Sequence, residues 1–216
     1  MTFPHPAFPV VISAPSGAGK TTIARRLVEK HDNVVFSISA TTRKPRKGER
    51  DGRDYHFVDD VTFDQMIERD ELAEWAVVHG RRYGTPRREI TAALEHGRTV
   101  VLDIDVQGAR QVRRVFRNAL GVFVLPPSAD ELVRRLSGRA SEDPEERRRR
   151  LTNARREIEA VTEFDFVVVN DNLDRACARV ESILRAEWAR VERMRKLDAF
   201  AQELVDDLNV LINEER

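Results

Sequence analysis

A glycine-rich segment near the amino end constrains the fold of this chain more than any other feature. Ala14-Pro-Ser-Gly-Ala-Gly-Lys20-Thr21 follows an apolar run and precedes a helical pattern. This order is typical of a phosphate-binding loop, because Gly17 and Gly19 let successive backbone N–H groups point into one concavity at a helix N-terminus. The loop's first position, usually Gly, is Ala14. We expect the nucleotide contacts to come from Ala14, Pro15, Ser16, Gly17, Ala18, Gly19, Lys20, Thr21 and Thr22, with Lys20 on the β- and γ-phosphates and the Thr21 hydroxyl on Mg²⁺.

The rest of the chain alternates short β-branched runs with helical patterns. The predicted strands are Val10–Ser13, Val34–Ser37, Thr99–Asp103, Gly121–Leu125 and Phe166–Val169. They are apolar on both faces, as buried parallel strands are. The predicted helices between them are Thr21–Glu29, Asp105–Phe116 and one that Ser128 opens as a cap. The pattern predicts an α/β layered domain with right-handed crossovers.

Residues 38–95 interrupt this alternation and predict a small mixed subdomain inserted into the α/β core. Weaker strands are expected at Tyr55–Val58 and Glu74–His79. One short helix should follow Thr62 as its cap, and another should begin at Pro86 with Thr85 as its cap.

Two further segments differ in character. Residues 137–160 are polar nearly all round, which predicts that they bury little and are solvent-facing, mobile or both. From Asp174 onward the chain has no Gly or Pro, and we expect it to be helical. Apolar residues recur there at four-three spacing, as in a coiled coil, at Leu197, Ala201, Leu204, Leu208 and Leu211. This stripe should pack either on the chain's own core or on a second subunit.

Composition excludes several classes of protein. The 37 basic and 37 acidic residues give no net charge, which argues against a globally basic nucleic-acid binder. The single cysteine, Cys177, rules out an internal disulfide and a thiolate zinc cluster. No apolar run approaches the ~18 residues of a membrane span, and the amino end lacks the pattern of a signal peptide. We therefore expect a cytoplasmic protein with no nucleic-acid or membrane partner.

An acidic pair follows a buried strand at Asp103 and Asp105. At the carboxyl end of a parallel sheet, Asp103 would face the phosphate loop, where we expect it to serve the metal or the active site. Asp105 can serve the site or cap the following helix, and the sequence does not decide between the two.

The insertion carries planar donors suited to a phosphate, namely Arg43 and Arg46, with Tyr55 and Tyr83 further on. Taken alone, this pattern favours a solvated basic loop over a phosphate site, because most runs of charge are surface features.

Six segments together resemble the guanylate kinases in order and spacing over about residues 8–190. They are Ser39-Ala-Thr-Thr-Arg43-Lys-Pro-Arg46-Lys-Gly48-Glu49, Asp51-Gly52-Arg-Asp-Tyr55-His-Phe57, Glu74-Trp75, Arg82-Tyr83-Gly84-Thr85, Leu102-Asp103-Ile-Asp105-Val-Gln107-Gly108 and Val169-Asn170-Asp171. The resemblance implies Mg²⁺-dependent transfer of the γ-phosphoryl group of ATP to GMP or dGMP, which yields ADP and GDP or dGDP.

The resemblance also implies roles for individual residues. The GMP phosphate would contact Arg43, Arg46, Tyr55 and Tyr83, and the base would contact Ser39, Glu74 and Thr85, with Asp103 and Asp105 beside the acceptor nucleotide. Asn170 matches a position next to the adenine of ATP. The catalytic cations would be Lys20, Arg43, Arg135, Arg139 and Arg150. Thr21 and Asp103 would hold the metal.

The implied architecture is a three-layer, parallel-sheet P-loop kinase core with an inserted mixed α/β subdomain and a mobile helical lid. Within a single domain of residues 1–216, the core would comprise 1–37, 96–134 and 161–190, the GMP-binding subdomain 38–95, the lid 135–160, and a C-terminal helical extension 191–216. The protein would be a monomer, or a homo-oligomer through that extension.

The chemistry agrees with this resemblance. The acceptor is a phosphate oxygen that is already anionic near neutral pH, so no general base is needed. Catalysis then consists of bringing two polyanions together and neutralising the developing charge, which calls for Lys, Arg and Mg²⁺ in a closed site.

Overall fold

The computed structural model describes residues 6–78, 80–136, 144–194 and 196–214. Within them the strands are β1 (Pro9–Ser13), β2 (Val34–Phe36), β3 (Ala40–Thr41), β4 (His56–Phe57), β5 (Leu72–Val78), β6 (Arg81–Pro86), β7 (Thr99–Asp103), β8 (Leu120–Leu125) and β9 (Phe166–Val169). The helices are α1 (Lys20–Lys30), α2 (Asp60–Glu68), α3 (Arg87–Glu95), α4 (Val106–Val115), α5 (Ala129–Leu136), α6 (Pro144–Glu159), α7 (Leu173–Trp188) and α8 (Leu197–Glu214).

A five-stranded parallel sheet forms the core, in the order β2-β7-β1-β8-β9. Along β1, Val10 and Ile12 pack on one face with residues of α1 and α7, and Val11 packs on the other with residues of α3 and α4. Because both faces are covered, strands apolar on both sides are stable here. The predicted α/β layered class is confirmed.

Strand β9 is correctly predicted but is not buried on both faces as expected. Among the strands of the described segments it pairs with β8 alone, so it is an outer strand, and Val168 is its one buried residue. The side chains of Phe166, Val167 and Val169 are 36%, 54% and 37% exposed. An apolar sequence does not distinguish a central parallel strand from an outer one, because that distinction depends on strand order.

Residues between 40 and 86 form a second, mixed sheet in the order β4-β3-β6-β5. The strands expected near 55–58 and 74–79 are present as β4 and β5, while residue 79 lies outside the described part. Strands β3 and β6 were not predicted, since they lie in charged, turn-rich sequence. They become ordered by pairing with each other across some forty residues.

Two helix starts in this insertion differ from the prediction. Helix α2 begins at Asp60, because the carboxylate of Asp59 accepts a hydrogen bond from the Thr62 N–H at 2.7 Å and is the cap. Helix α3 has Pro86 at its N-cap position, with no side-chain hydrogen bond. The hydroxyl of Thr85 is not a cap, since it donates to Glu74 instead.

The segment expected to bury little does pack along one face. Helix α6 places Ala154, which is 1% exposed, against Leu132 and Leu136 of α5. Leu151 and Ile158 join the same cluster, so a narrow apolar stripe was hidden among arginines. Residues 137–143, including Arg139, lie outside the described part.

The C-terminal part is not one continuous helix. After α7 the chain turns, and the Arg193 guanidinium lies over the Phe8 ring at 4.0 Å while its Nε donates to Glu187 at 2.6 Å. Helix α8 buries none of its residues. Leu204, Leu208 and Leu211 are 47%, 55% and 55% exposed, so packing of the stripe on the chain's own core is wrong and the second-subunit alternative stays a prediction. None of the described helices is long and apolar enough to cross a bilayer.

Candidate functional site

The loop between β1 and α1 has the predicted backbone geometry. Gly17 and Gly19 adopt φ values of +87° and +95°, the left-handed region that favours glycine. A Cβ at Gly19 would lie 2.4 Å from the Asn170 side-chain nitrogen. That amide donates to the Ala18 carbonyl at 2.7 Å, so Asn170, which directly follows β9, holds the backbone of the loop in place.

Lys20, Thr21 and Asp103 meet at the mouth of this loop. The Lys20 Nζ lies 2.7 Å from one Asp103 carboxylate oxygen, and the Thr21 hydroxyl donates to the other at 2.5 Å. They meet because β1 and β7 are parallel neighbours in the sheet. The structure therefore brings together the cation, hydroxyl and carboxylate that the sequence assigned to phosphates and metal.

Asp105 begins the next helix. Its carboxylate accepts from the Gly108 N–H at 2.8 Å, so the residue caps α4. The sequence left a cap and a site role open, and the cap is present. The negative charge of Asp105 also helps to raise the pKa of the Glu74 carboxyl group.

A buried carboxyl group lies on β5, against the start of α4. Glu74 is 6% exposed, and its Oε1 accepts a hydrogen bond from the Thr85 hydroxyl at 2.6 Å. Burial is the main cause that raises its pKa to about 7. The hydrogen bond from Thr85 and the positive charge of Lys20 favour the ionised form and lower the pKa in part. A Cβ at Gly108, near the start of α4, would lie 2.9 Å from Glu74 Oε2, so this carboxyl group lies at the same end of the core as Asp103.

The basic residues of the insertion form an ordered cluster. The Arg43 guanidinium donates to both carboxylate oxygens of Glu49 at 2.9 Å and lies 5.3 Å above the Tyr55 ring. This pair raises the pKa of Arg43 and lowers that of Glu49. Tyr83 packs edge-on against Tyr55 with ring centroids 6.1 Å apart. Arg43 is thus held in place, which a freely solvated loop would not do.

Two other predicted residues lie at the margin of this cluster. Arg46 is exposed, and its backbone N–H donates to Glu49 at 2.7 Å. Ser39 is half-buried just before β3, and its carbonyl accepts from the His56 N–H at 2.9 Å.

Two of the three predicted lid arginines, Arg135 and Arg150, lie in the described part of the chain, and Arg135 contacts the phosphate loop. Arg135 donates to the Asn170 carbonyl at 3.1 Å and to the Ala18 carbonyl at 3.4 Å. Its Nε donates to Glu131 at 2.7 Å. Arg150 donates to the Leu136 carbonyl at 3.2 Å, at the end of α5.

Sequence reasoning missed Glu157. Its carboxylate accepts from the Ser16 N–H of the phosphate loop at 3.3 Å, so a negative charge from α6 lies at a site built for anions. Burial raises the pKa of this carboxyl. No local signal identifies it, because it is one of several acids on a polar helix. The role of Glu49 was missed as well, although it lies inside a quoted motif.

Three comparisons place the chain among known proteins. The family model described as guanylate kinase matches residues 7–187. A guanylate kinase of Nitrobacter hamburgensis is 50% identical over 195 residues, covering 90% of this chain and 89% of the relative. One of Dechloromonas aromatica is 52% identical over 176 residues, covering 82% and 87%. The crystal structure of guanylate kinase from Anaplasma phagocytophilum superposes with a TM-score of 0.75 at 33% identity, covering 93% of this chain and 96% of that one.

Proposed function

The chain belongs to the guanylate kinase family, a group of nucleoside monophosphate kinases, and we propose how its residues divide the transfer of a phosphoryl group from ATP to GMP. One observation carries the proposal. The buried carboxyl group of Glu74 lies against Gly108 near the start of α4, and α4 follows the strand whose last residue, Asp103, pairs with Lys20 of the phosphate loop. A reader of the acceptor base and a holder of the donor phosphates are therefore placed at the same end of the core.

The donor side comprises residues 14–22. Its backbone N–H groups would bind the ATP phosphates, and Lys20 would neutralise charge on the transferred group. Asn170 supports this side by bracing the loop from beneath Ala18 and Gly19, at the position that the resemblance places beside adenine.

The oxygen atoms of Thr21 and Asp103 fit a magnesium ion. Hard hydroxyl and carboxylate oxygens lie together at the loop mouth. Among the residues that the structure describes, no group of three or more His, Cys, Asp or Glu could hold a metal. That suits Mg²⁺, which uses one or two carboxylates and completes its shell with water and substrate phosphates. When held by Thr21 and Asp103, the ion would reduce the negative charge on the phosphates during transfer.

The acceptor phosphate would contact Arg43, Arg46, Tyr55 and Tyr83. Glu49 already holds Arg43 through two hydrogen bonds, so little conformational freedom remains to be lost when the phosphate binds. Orientation of the acceptor oxygen toward the donor supplies much of the rate, because both reactants are anions that repel in solution.

The guanine base would contact Ser39, Glu74 and Thr85. Guanine presents N1–H and the 2-amino group side by side, and one ionised carboxylate can accept from both in one plane. Thr85 fixes the rotation of the Glu74 carboxyl group through its hydroxyl. Since these contacts involve the base and not the ribose, dGMP should serve as well as GMP.

Transfer itself needs no proton acceptor on the chain. The lid, residues 135–160, would bring Arg135, Arg139 and Arg150 onto the transferred group as it closes. The GMP-binding insertion would be residues 38–95, the C-terminal extension residues 191–216, and the remaining residues the core, as the sequence predicts. Closure would also exclude water from the reacting phosphates.

Calorimetric titration of Arg43→Ala tests the acceptor assignment. We expect GMP to bind about 10- to 100-fold more weakly, as loss of a hydrogen bond to a charged group predicts, while guanosine binds unchanged. Arg53→Ala is the matched control, because Arg53 is exposed in the same segment. Undiminished GMP affinity in Arg43→Ala would remove Arg43 from the phosphate site.

A further inference from the structure

Strand β5, which carries Glu74, is an outer strand of the smaller sheet. None of the strands in the described ranges pairs with the other side of its backbone. At Trp75 that side is occupied by a side chain from another element. The Trp75 N–H donates to Gln111 Oε1 at 3.1 Å, and Gln111 Nε2 donates to the Trp75 carbonyl at 3.0 Å. The primary amide of Gln111, on α4, thus pairs with β5 as a strand residue would.

The same helix approaches Glu74 through Gly108, one turn before Gln111. A Cβ at Gly108 would lie 2.9 Å from Glu74 Oε2, so only glycine lets α4 come this close. Residues three apart on a helix share a face. One face of α4 therefore contacts the backbone of β5 at residue 75 and the side chain at residue 74.

Helix α4 also connects the two halves of the site along the chain. It begins directly after β7, whose last residue, Asp103, pairs with Lys20 at the phosphate loop. Its amide contact with β5 sets the position of the base-reading strand relative to that end of the core. A shift of β5 along α4 would move the Glu74 carboxyl away from the plane of a bound base, and small displacements of this kind have large effects on recognition.

We propose that Gln111 is a positioning residue for base recognition, which holds β5 against α4 so that Glu74 meets guanine in the correct plane. The inference rests on the proposed role of Glu74 as the guanine reader. Gln111 contacts no substrate in this role. Its loss leaves the outer N–H and carbonyl of Trp75 to water, because that residue is 39% exposed, and β5 gains freedom to slide.

The test is a comparison of Gln111→Leu with wild type. Leucine keeps the size and helix propensity of glutamine and removes both hydrogen bonds. We expect GMP to bind about 10-fold more weakly, in keeping with two neutral hydrogen bonds, with ATP affinity unchanged. The affinity for IMP, which lacks the 2-amino group, should fall less than the affinity for GMP. The ratio of GMP affinity to IMP affinity should therefore decrease. Gln111→Glu keeps the acceptor and loses only the donor, and should give an intermediate loss.

Gln65→Leu is the matched control, because Gln65 is exposed on α2 of the same insertion and should leave every affinity unchanged. A merely structural role for Gln111 would lower the melting temperature of Gln111→Leu with no change in the GMP-to-IMP ratio, and that result overturns the inference.

A double-mutant cycle with Glu74→Gln separates the two hypotheses. If Gln111 acts through Glu74, adding Gln111→Leu to Glu74→Gln should weaken GMP binding little further. Fully additive losses would overturn the positioning role while leaving the guanine pocket intact. If Glu74→Gln alone leaves the GMP-to-IMP ratio unchanged, the guanine-reading role itself fails and the inference fails with it.

Discussion

Replacement of Glu74 by glutamine should stabilise the fold at alkaline pH. Burial raises the pKa of this carboxyl from 4.5 to about 7. Between those values the folded chain keeps a proton that the unfolded chain has released, so the free energy of unfolding falls as pH rises through that window. At ~1.4 kcal/mol per pKa unit, ionisation costs the wild type about 3 kcal/mol of stability at pH 8. Glutamine carries no charge at any pH and still accepts from Thr85.

Unfolding by denaturant at pH 5 and pH 8 measures this effect. Relative to wild type, Glu74→Gln should gain about 2–3 kcal/mol more at pH 8 than at pH 5. Glu71→Gln is the control, since Glu71 is exposed one residue before β5 and should show no such difference. An equal change at both pH values would contradict a buried, proton-holding carboxyl group.

The same substitution should impair the acceptor site. A carboxylate that accepts two guanine donors contributes about 1.5–3 kcal/mol through each, so GMP should bind about 100-fold more weakly, or worse, to Glu74→Gln at pH 8. In wild type, GMP affinity should fall about 10-fold from pH 8 to pH 6 as Glu74 takes up a proton, beyond the titration of the GMP phosphate itself. That phosphate titration appears alone in the variant. If the variant keeps wild-type GMP affinity and its pH dependence, Glu74 does not read the base.

Three other substitutions or deletions test separate parts of the site. Lys20→Ala should lower kcat at least 10³-fold with little change in melting temperature, because a positive charge next to the transferred group stabilises the transition state by several kcal/mol. A folded variant with near-normal turnover would show that Lys20 has no catalytic role. Glu157→Gln should bind pyrophosphate and ATP about 10-fold more tightly, because it removes a negative charge from the phosphate loop. The control Glu159→Gln, at an exposed position, should bind both as the wild type does. Unchanged or weaker binding by Glu157→Gln would show that Glu157 does not compete with phosphate. Truncation before Leu197 should leave the melting temperature and kcat unchanged, because none of the residues of α8 is buried in this chain. It should lower the mass measured by sizing chromatography to that of a monomer. An unchanged mass would exclude α8 as an intersubunit contact.

Much of the core could be predicted because its signals are local. The run before Ala14, the glycines and the helix after Lys20 lie within thirty residues, and each supports the same strand-loop-helix unit. Strands β3 and β6 could not be found this way, because each is ordered by a partner distant in sequence. The exposure of β9 depends on strand order, and the exposure of α8 depends on whether the chain folds back onto its core. A pattern of apolar residues contains neither kind of information.

The candidate site divides in the same manner. The meeting of Lys20 with Asp103 follows from a general property of parallel sheets, in which the carboxyl ends of neighbouring strands share an edge. The approach of Gly108 to Glu74 and of Glu157 to the phosphate loop depends on how helices pack across the sheet. Such contacts join residues that no motif spacing relates, so they required the structure.

A panel of acceptors tests the central claim most directly, with ATP as donor, Mg²⁺ present and ADP release as the measurement. GMP and dGMP should react at similar rates, because Glu74 contacts the base. AMP should be slower by up to ~10⁴-fold, because adenine has an acceptor at N1 and no 2-amino group, so the buried Glu74 carboxyl group receives no hydrogen bond from the base. A phosphorylated sugar should give no ADP above background. Comparable rates with AMP, or a sugar phosphate that outpaces GMP, would contradict a guanine-reading kinase.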